Sequence, residues 1–171
     1  MGRALKIQLA GLATLAALLV ASGCGGSKSA DSDSKQRFSA SADRICGDHL
    51  QSVIGLLSDE PPLLTAQQAA SRSESTYQII NVTIGRLEAL GDPPNPHGRD
   101  FREYLKTLRA RAALYRLTEE AELHRDVATA TRMQKRISQI DTVGDGAAHR
   151  YGLRVCGISP VDAARALDLG K

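Results

Sequence analysis

The sequence predicts an all-α protein: an up-down-up-down four-helix bundle with a short C-terminal helix, preceded by a signal peptide and a disordered tether. Three observations predict it. Apolar residues recur at three- and four-residue spacing in four segments between positions 39 and 150, no stretch alternates with the period of a strand, and the breaks between segments are short and rich in Pro, Gly or Asp. Short connections make sequential helices antiparallel neighbours, which defines the bundle.

The first helix is expected from Ser39 or Ser41, either of which can cap it, to Ser58, with Ile45, Cys46, His49, Val53, Leu56 and Leu57 on one face. Pro61 and Pro62 end it. The second starts near Thr65 with the stripe Ala66, Ala69, Ser73, Tyr77, Ile80, Ile84 and Leu87, and Gly91 supplies a left-handed cap before the loop "DPPNPHG". The third runs from about Arg99 to His124 with Phe101, Tyr104, Leu105, Leu108, Ala112 and Tyr115 on one arc. A tight turn at "RDV" lets Asp126 cap the fourth, whose stripe is Ala130, Met133, Ile137 and Ile140 and which Gly144 and Gly146 are expected to loosen. Ser159 and Pro160 form a cap and first-turn pair for the terminal helix "VDAARALDL".

The N-terminus divides differently. Arg3 and Lys6 make a basic start, and residues 7–21 carry no charge, a length that suits a signal peptide and falls short of the ~20 residues of a spanning helix. Ala21, Ser22 and Gly23 then precede Cys24. This outline resembles the lipoprotein signal of Gram-positive actinobacteria, in which the Cys is lipidated and becomes the first residue, although Ala21 stands where Leu is usual. Simple secretion and an uncleaved anchor are the other readings. The domains expected are a signal peptide over 1–23, a lipidated Cys24 with a flexible linker over 24–36, and a helical bundle over 37–171.

Cysteine count fits lipidation, because three cysteines leave one unpaired in an exported chain. With Cys24 acylated, Cys46 and Cys156 remain as an even pair, and an up-down-up-down bundle sets the start of the first helix beside the end of the fourth, where these two lie. A disulfide between them staples the ends of the domain. The combination of this N-terminus with "ADRICG", "LEALGDPP" and "YGLRVCG" resembles a group of small actinobacterial lipoproteins of unknown function. The resemblance supports the fold, export and the Cys46–Cys156 pairing, and implies no catalytic residues.

Composition narrows the function classes. Loss of Arg3 and Lys6 with the signal lowers the formal charge from +3 to +1, which offers no electrostatic attraction to nucleic acid. The absence of Trp and the scarcity of Phe and Tyr count against aromatic platforms for bases or sugars. No G-x-S-x-G, phosphate loop or H-E-x-x-H occurs, and Asp48 and His49, being adjacent, diverge by about 100° on a helix. His124 has Glu120 four residues before it but Ala121 where a di-iron Glu-x-x-His motif needs Glu. No enzymatic activity and no cofactor are expected. An alternative to the disulfide is a zinc site at the same end, formed by Cys46, His49, His149 and Cys156, although the spacings match no standard zinc module. Arg99, Arg102, Lys106, Arg109 and Arg116 flank the apolar face of the third helix, either as a solvated face or as a contact for an anionic surface. The expected role is a non-enzymatic binding domain, tethered by lipid to the outer face of the cell membrane, with an envelope protein or polymer as partner. A small-ligand or zinc carrier is the alternative.

Overall fold

The computed structural model describes residues 26–58, 63–94, 98–159 and 163, with side chains from residue 31 onward. Residues 1–25, and with them the signal peptide and Cys24, lie outside the described residues, as does most of the terminal helix. Of that helix, the amide of Ala163 donates to the carbonyl of Ser159 at 3.0 Å, one helical turn.

Among the described residues four helices form the fold: α1 (Gly26–Ser58), α2 (Ala66–Glu88), α3 (Gly98–Leu123) and α4 (Val127–Tyr151). No strand occurs among the described residues, and none of their helices is long and apolar enough to cross a membrane. Cross-helix pairs establish antiparallel neighbours. On α1 and α2, Asp48 pairs with Arg86 at 2.7 Å. On α2 and α3, Glu88 pairs with Arg109 while Glu74, one helix length earlier, pairs with Arg116. On α3 and α4, Asp100 and Glu103 pair with Arg150 while Arg111 meets Asp141. The bundle class expected from the periodicity is therefore the one observed.

The first helix differs from expectation at its start. It begins at Gly26 and includes residues 26–36, which were expected to be a disordered linker. The composition correctly implies that this stretch buries little: Asp31, Ser32, Asp33, Gln36 and Arg37 are exposed. It is nevertheless continuous with a helix anchored at Phe38, and Lys35 adds a contact by lying over the Tyr151 ring at 5.4 Å. Once a helix is nucleated by packing, each further residue adds one hydrogen bond at low cost.

Caps follow the sequence closely. Thr65 and Gln68 form a reciprocal capping box at the start of α2, and Asp126 accepts from the Thr129 amide at the start of α4. Gly91, φ +79°, takes the left-handed conformation after α2, and Gly152, φ +100°, does so after α4. Between α3 and α4 that role falls to Arg125, φ +57°, where the Asp126 amide reaches back to the Ala121 carbonyl at 2.8 Å.

Gly144 and Gly146 do not loosen α4, which runs unbroken to Tyr151. Gly144 instead lets α4 approach α3: a Cβ there would stand 2.6 Å from Thr107 Oγ1 and 3.3 Å from its Cβ. Ala147 and Ala148, both fully buried, continue the same close face. The buried face of α2 is also rotated from its expected stripe, towards Ala70, Thr76 and Thr83. Tyr77, expected inside, is half-buried beneath the Arg116 guanidinium, 5.0 Å from the ring centre.

One end of the bundle is closed by aromatics and a crosslink. Phe38 meets Phe101 and Tyr151 with ring centres 4.9 and 5.8 Å apart, and Phe101 meets Tyr151 at 5.4 Å. Such pairs contribute about 0.5–1.5 kcal/mol each beyond their buried area. Cys46 and Cys156 lie at disulfide distance, 2.17 Å between sulfurs, across 110 residues of chain. Beside them the Asp43 carboxylate accepts the amides of Arg154, Val155 and Cys156 at 2.8–3.4 Å.

The packing sequence is the feature that positions the site. α1 packs on α2, α2 on α3 and α3 on α4, but the backbones of α1 and α4 do not come together among the described residues. Their seam is bridged at one end, where Lys35 and Phe38 meet Tyr151 and the segment after α4 meets α1 at Asp43 and Cys46.

Two stability measurements check this architecture. Replacing both Cys46 and Cys156 by Ala releases a loop of 110 residues and is expected to lower unfolding free energy by about 4–5 kcal/mol in chemical denaturation. Gly144→Ala should lower Tm although Ala is intrinsically the better helix former by about 1 kcal/mol, and adding Thr107→Ala should recover much of the loss. Independent, additive effects of the two changes would contradict the close α3–α4 approach.

Candidate binding cavity

A half-open cavity of about 1140 Å³ lies along the unclosed α1–α4 seam. It is the space left between Val53 and Leu57 of α1, the first half of α2, the second half of α3 and α4 from Val127 to Asp145. That length of α4 spans about 27 Å at 1.5 Å per residue. Leu57, Leu64, Ala69, Val127, Ala130 and Ile137 supply much of the apolar wall. Ser73, Thr76, Tyr115, Arg111 and Asp141 supply polar groups.

Arg111 is the unusual member. Its side chain is only 13% exposed, and its ion pair with Asp141 Oδ1 is long, at 3.5 Å from Nε. Nε is buried and donates no hydrogen bond among the described residues. The guanidinium also lies against the Tyr115 ring, 5.8 Å from its centre. Burial works against the Arg111 charge, but Asp141, Tyr115 and Tyr104 together outweigh it and hold its pKa above the ordinary arginine value. Burial also raises the pKa of Asp141, against the attraction of Arg111. A half-formed pair of this kind leaves hydrogen-bonding capacity for a third group.

Other acids around the cavity have partners. Glu122 accepts from Ser73 Oγ at 2.7 Å, so the end of α3 is not a purely solvated run of glutamates. Asp126 serves its own helix as a cap.

Towards the disulfide, a second space of about 40 Å³ shares Arg111, Asp141, Asp145 and Ser159 with the first and touches His49, Tyr104 and Cys46. His49 Nδ1 lies 3.0 Å from Thr83 Oγ1, whose own proton goes to the Ile79 carbonyl at 2.8 Å. This contact ties the His49 ring to α2. Burial, then the Arg111 charge, lower its pKa to about 4. Tyr104 points its hydroxyl at Cys46 Sγ, 3.5 Å away, and burial raises its pKa strongly.

The residues singled out by sequence divide accordingly. Cys46 and Cys156 meet. His49 turns to Thr83 rather than towards them, and His149 is exposed beside Gly157, so the four do not converge as zinc ligands. No group of three or more His, Cys, Asp or Glu positioned for a metal ion occurs among the described residues. Of the basic stripe, Arg109 is engaged by Glu88, and Arg116 by Glu74 and Glu119, while Arg99, Arg102 and Lys106 are exposed. Cys24 lies outside the described residues.

Arg111 and Asp141 were not singled out, although the sequence carries a signal for both. Arg111 falls about 20° from Tyr104 on a helical wheel, inside the apolar arc of α3. Asp141 stands between Ile137 and Gly144 on the inward face of α4. No protein-family model matches the chain, and no curated protein or solved structure is similar to it.

The His49 environment makes stability depend on pH. Folding lowers its pKa from 6.5 to about 4, so between those values the unfolded state binds the extra proton. The contribution is complete above pH 6.5 and is lost as pH falls towards 4, about 3 kcal/mol across the window. Denaturation curves for wild type and His49→Gln between pH 4 and 7 should diverge in slope, the variant being flatter. Parallel pH profiles would exclude the neutral buried His49.

Proposed function

We propose that this chain is an extracytoplasmic binding protein, anchored by lipid on Cys24, that holds a small molecule in the cavity between α1 and α4. The observation that carries the proposal is the open space of about 1140 Å³ with an incompletely bonded Arg111 in its wall. Binding sites are characteristically concave, largely apolar and furnished with a few converging polar groups. The anchoring half rests on the sequence: a basic start, an uncharged stretch, small residues before Cys24, and an even pair left over as Cys46 and Cys156. A binding role is favoured over a catalytic one because the buried histidine is committed to Thr83, whose proton is committed in turn to a backbone carbonyl.

This reading weights small-molecule binding above the envelope protein or polymer partner that the sequence suggests, because an internal site suits a small ligand. Zinc does not share that support, since the cysteine sulfurs are at bonding distance from each other.

Mass spectrometry of the protein extracted from membranes tests both halves. The denatured mass should begin at Cys24 with acyl chains added, and the native mass should exceed it by a small molecule. Ala69→Phe, which places a ring in the cavity, should abolish that excess. A chain retaining residues 1–23 or lacking acyl groups would remove the anchor. Equal native and denatured masses, with no thermal shift on adding a lipid extract, would remove the ligand.

A further inference from the structure

The chemistry of the cavity narrows the ligand class, given the binding role proposed above. Arg111 is a cation largely removed from water, held by a 3.5 Å ion pair to Asp141 and by the face of Tyr115, with Nε unbonded. Desolvating a guanidinium is costly unless its donors are satisfied, and two carboxylate oxygens match its fork of donors. Asp141, itself 34% exposed, fills that role only in part. One N–H of Arg111, Nε, is therefore without an acceptor among the described residues, and a further carboxylate oxygen would supply one.

The rest of the wall is mixed. Val53, Leu57, Ala69, Ala130 and Ile137 give it apolar surface, beside polar side chains that include Thr131, Gln134 and Ser138. The same end of the bundle exposes apolar side chains to solvent: Leu63 is 88% exposed and Val127 74%. Leu63 immediately precedes Leu64 of the cavity wall, and Val127 belongs to the wall itself. The long dimension and the polar point thus lie at different places, Arg111 and Asp141 being at the end nearer the disulfide, where the two spaces meet.

We infer that the ligand is an anionic amphiphile, with a carboxylate head that pairs with Arg111 and an apolar chain that extends along the α1–α4 seam towards Leu64 and Val127. Asp141 is then a competitor for Arg111 in the empty protein and limits affinity for the head. A cationic head is disfavoured, because the nearest acid is already engaged by Arg111, Glu122 and Asp126 are engaged by Ser73 and the Thr129 amide, and Asp145 has an interaction of its own.

The test uses the full chain in lipid nanodiscs and equilibrium dialysis of decanoate, decanol and decyltrimethylammonium, with empty nanodiscs as the baseline. Decanoate should bind at least about tenfold more tightly than decanol, the scale of a charged hydrogen bond. Arg111→Gln should reduce decanoate to the level of decanol. Asp141→Asn should tighten decanoate binding, which keeps the inference testable if the Arg111 variant does not fold. Equal binding of decanoate and decanol, tightest binding of the cation, or no gain with Asp141→Asn would overturn the head-group assignment while leaving the cavity as a binding site. No binding of any of the three above the baseline would overturn the cavity reading as well.

Discussion

The attachment of α1 to the segment following α4 is the constraint on which the rest of the structure depends. α1 has backbone packing only against α2, so its position relative to α4 rests on Cys46–Cys156, on the Asp43 carboxylate that gathers three amides, and on Phe38 set against Phe101 and Tyr151. All of these lie at one end. A crosslink acts chiefly by restricting the unfolded chain, and here it also fixes which end of the seam is closed. The opposite end, from Val53 to Ser58, is supported by α2 alone, and the space beside it is the cavity.

The two outer seams of the bundle contrast in side-chain size. Between α3 and α4, Gly144, Ala147 and Ala148 bring the helices close, and the Arg150 guanidinium reaches Asp100 and Glu103 across the rim. Along the α1–α4 seam the backbones stay apart among the described residues. The distance is filled by Phe38 and Tyr151 at one end and left open at the other. Arg111 and Asp141 sit where the filled part gives way to the open part, which explains why they are shielded from bulk water yet incompletely bonded to each other. A cavity site of this kind needs a rigid wall and a polar group held at its margin; α3 and α4 provide the first, and their half-formed ion pair the second.

Much of this was legible in the sequence. The helical period placed all four helices, Thr65 and Asp126 marked their caps, Gly91 its left-handed turn, and the topology brought Cys46 to Cys156. These depend on local rules or on connectivity. The start of α1 was misjudged because polar composition was read as disorder, whereas a helix packed at Phe38 carries such residues along. Gly144 was read as a weak point because a helix scale records only the cost of glycine and not the neighbour, Thr107, that requires it. The site was the least legible part. Arg111 and Asp141 stand on inward faces as charged residues in apolar stripes, a pattern that signals a buried charge but, unlike a histidine or a cysteine, names no chemistry.

The sequence by itself determined the order of the four helices, most of their limits, their antiparallel sequence and the meeting of the two cysteines, because periodicity, capping and short loops are properties of neighbouring residues. Only the tertiary structure decided that α1 and α4 do not close along their length, that His49 turns to Thr83, and that Arg111 meets Asp141 at the edge of an open space. Those outcomes depend on how far apart packed helices stand, which is set by the side chains of all four at once.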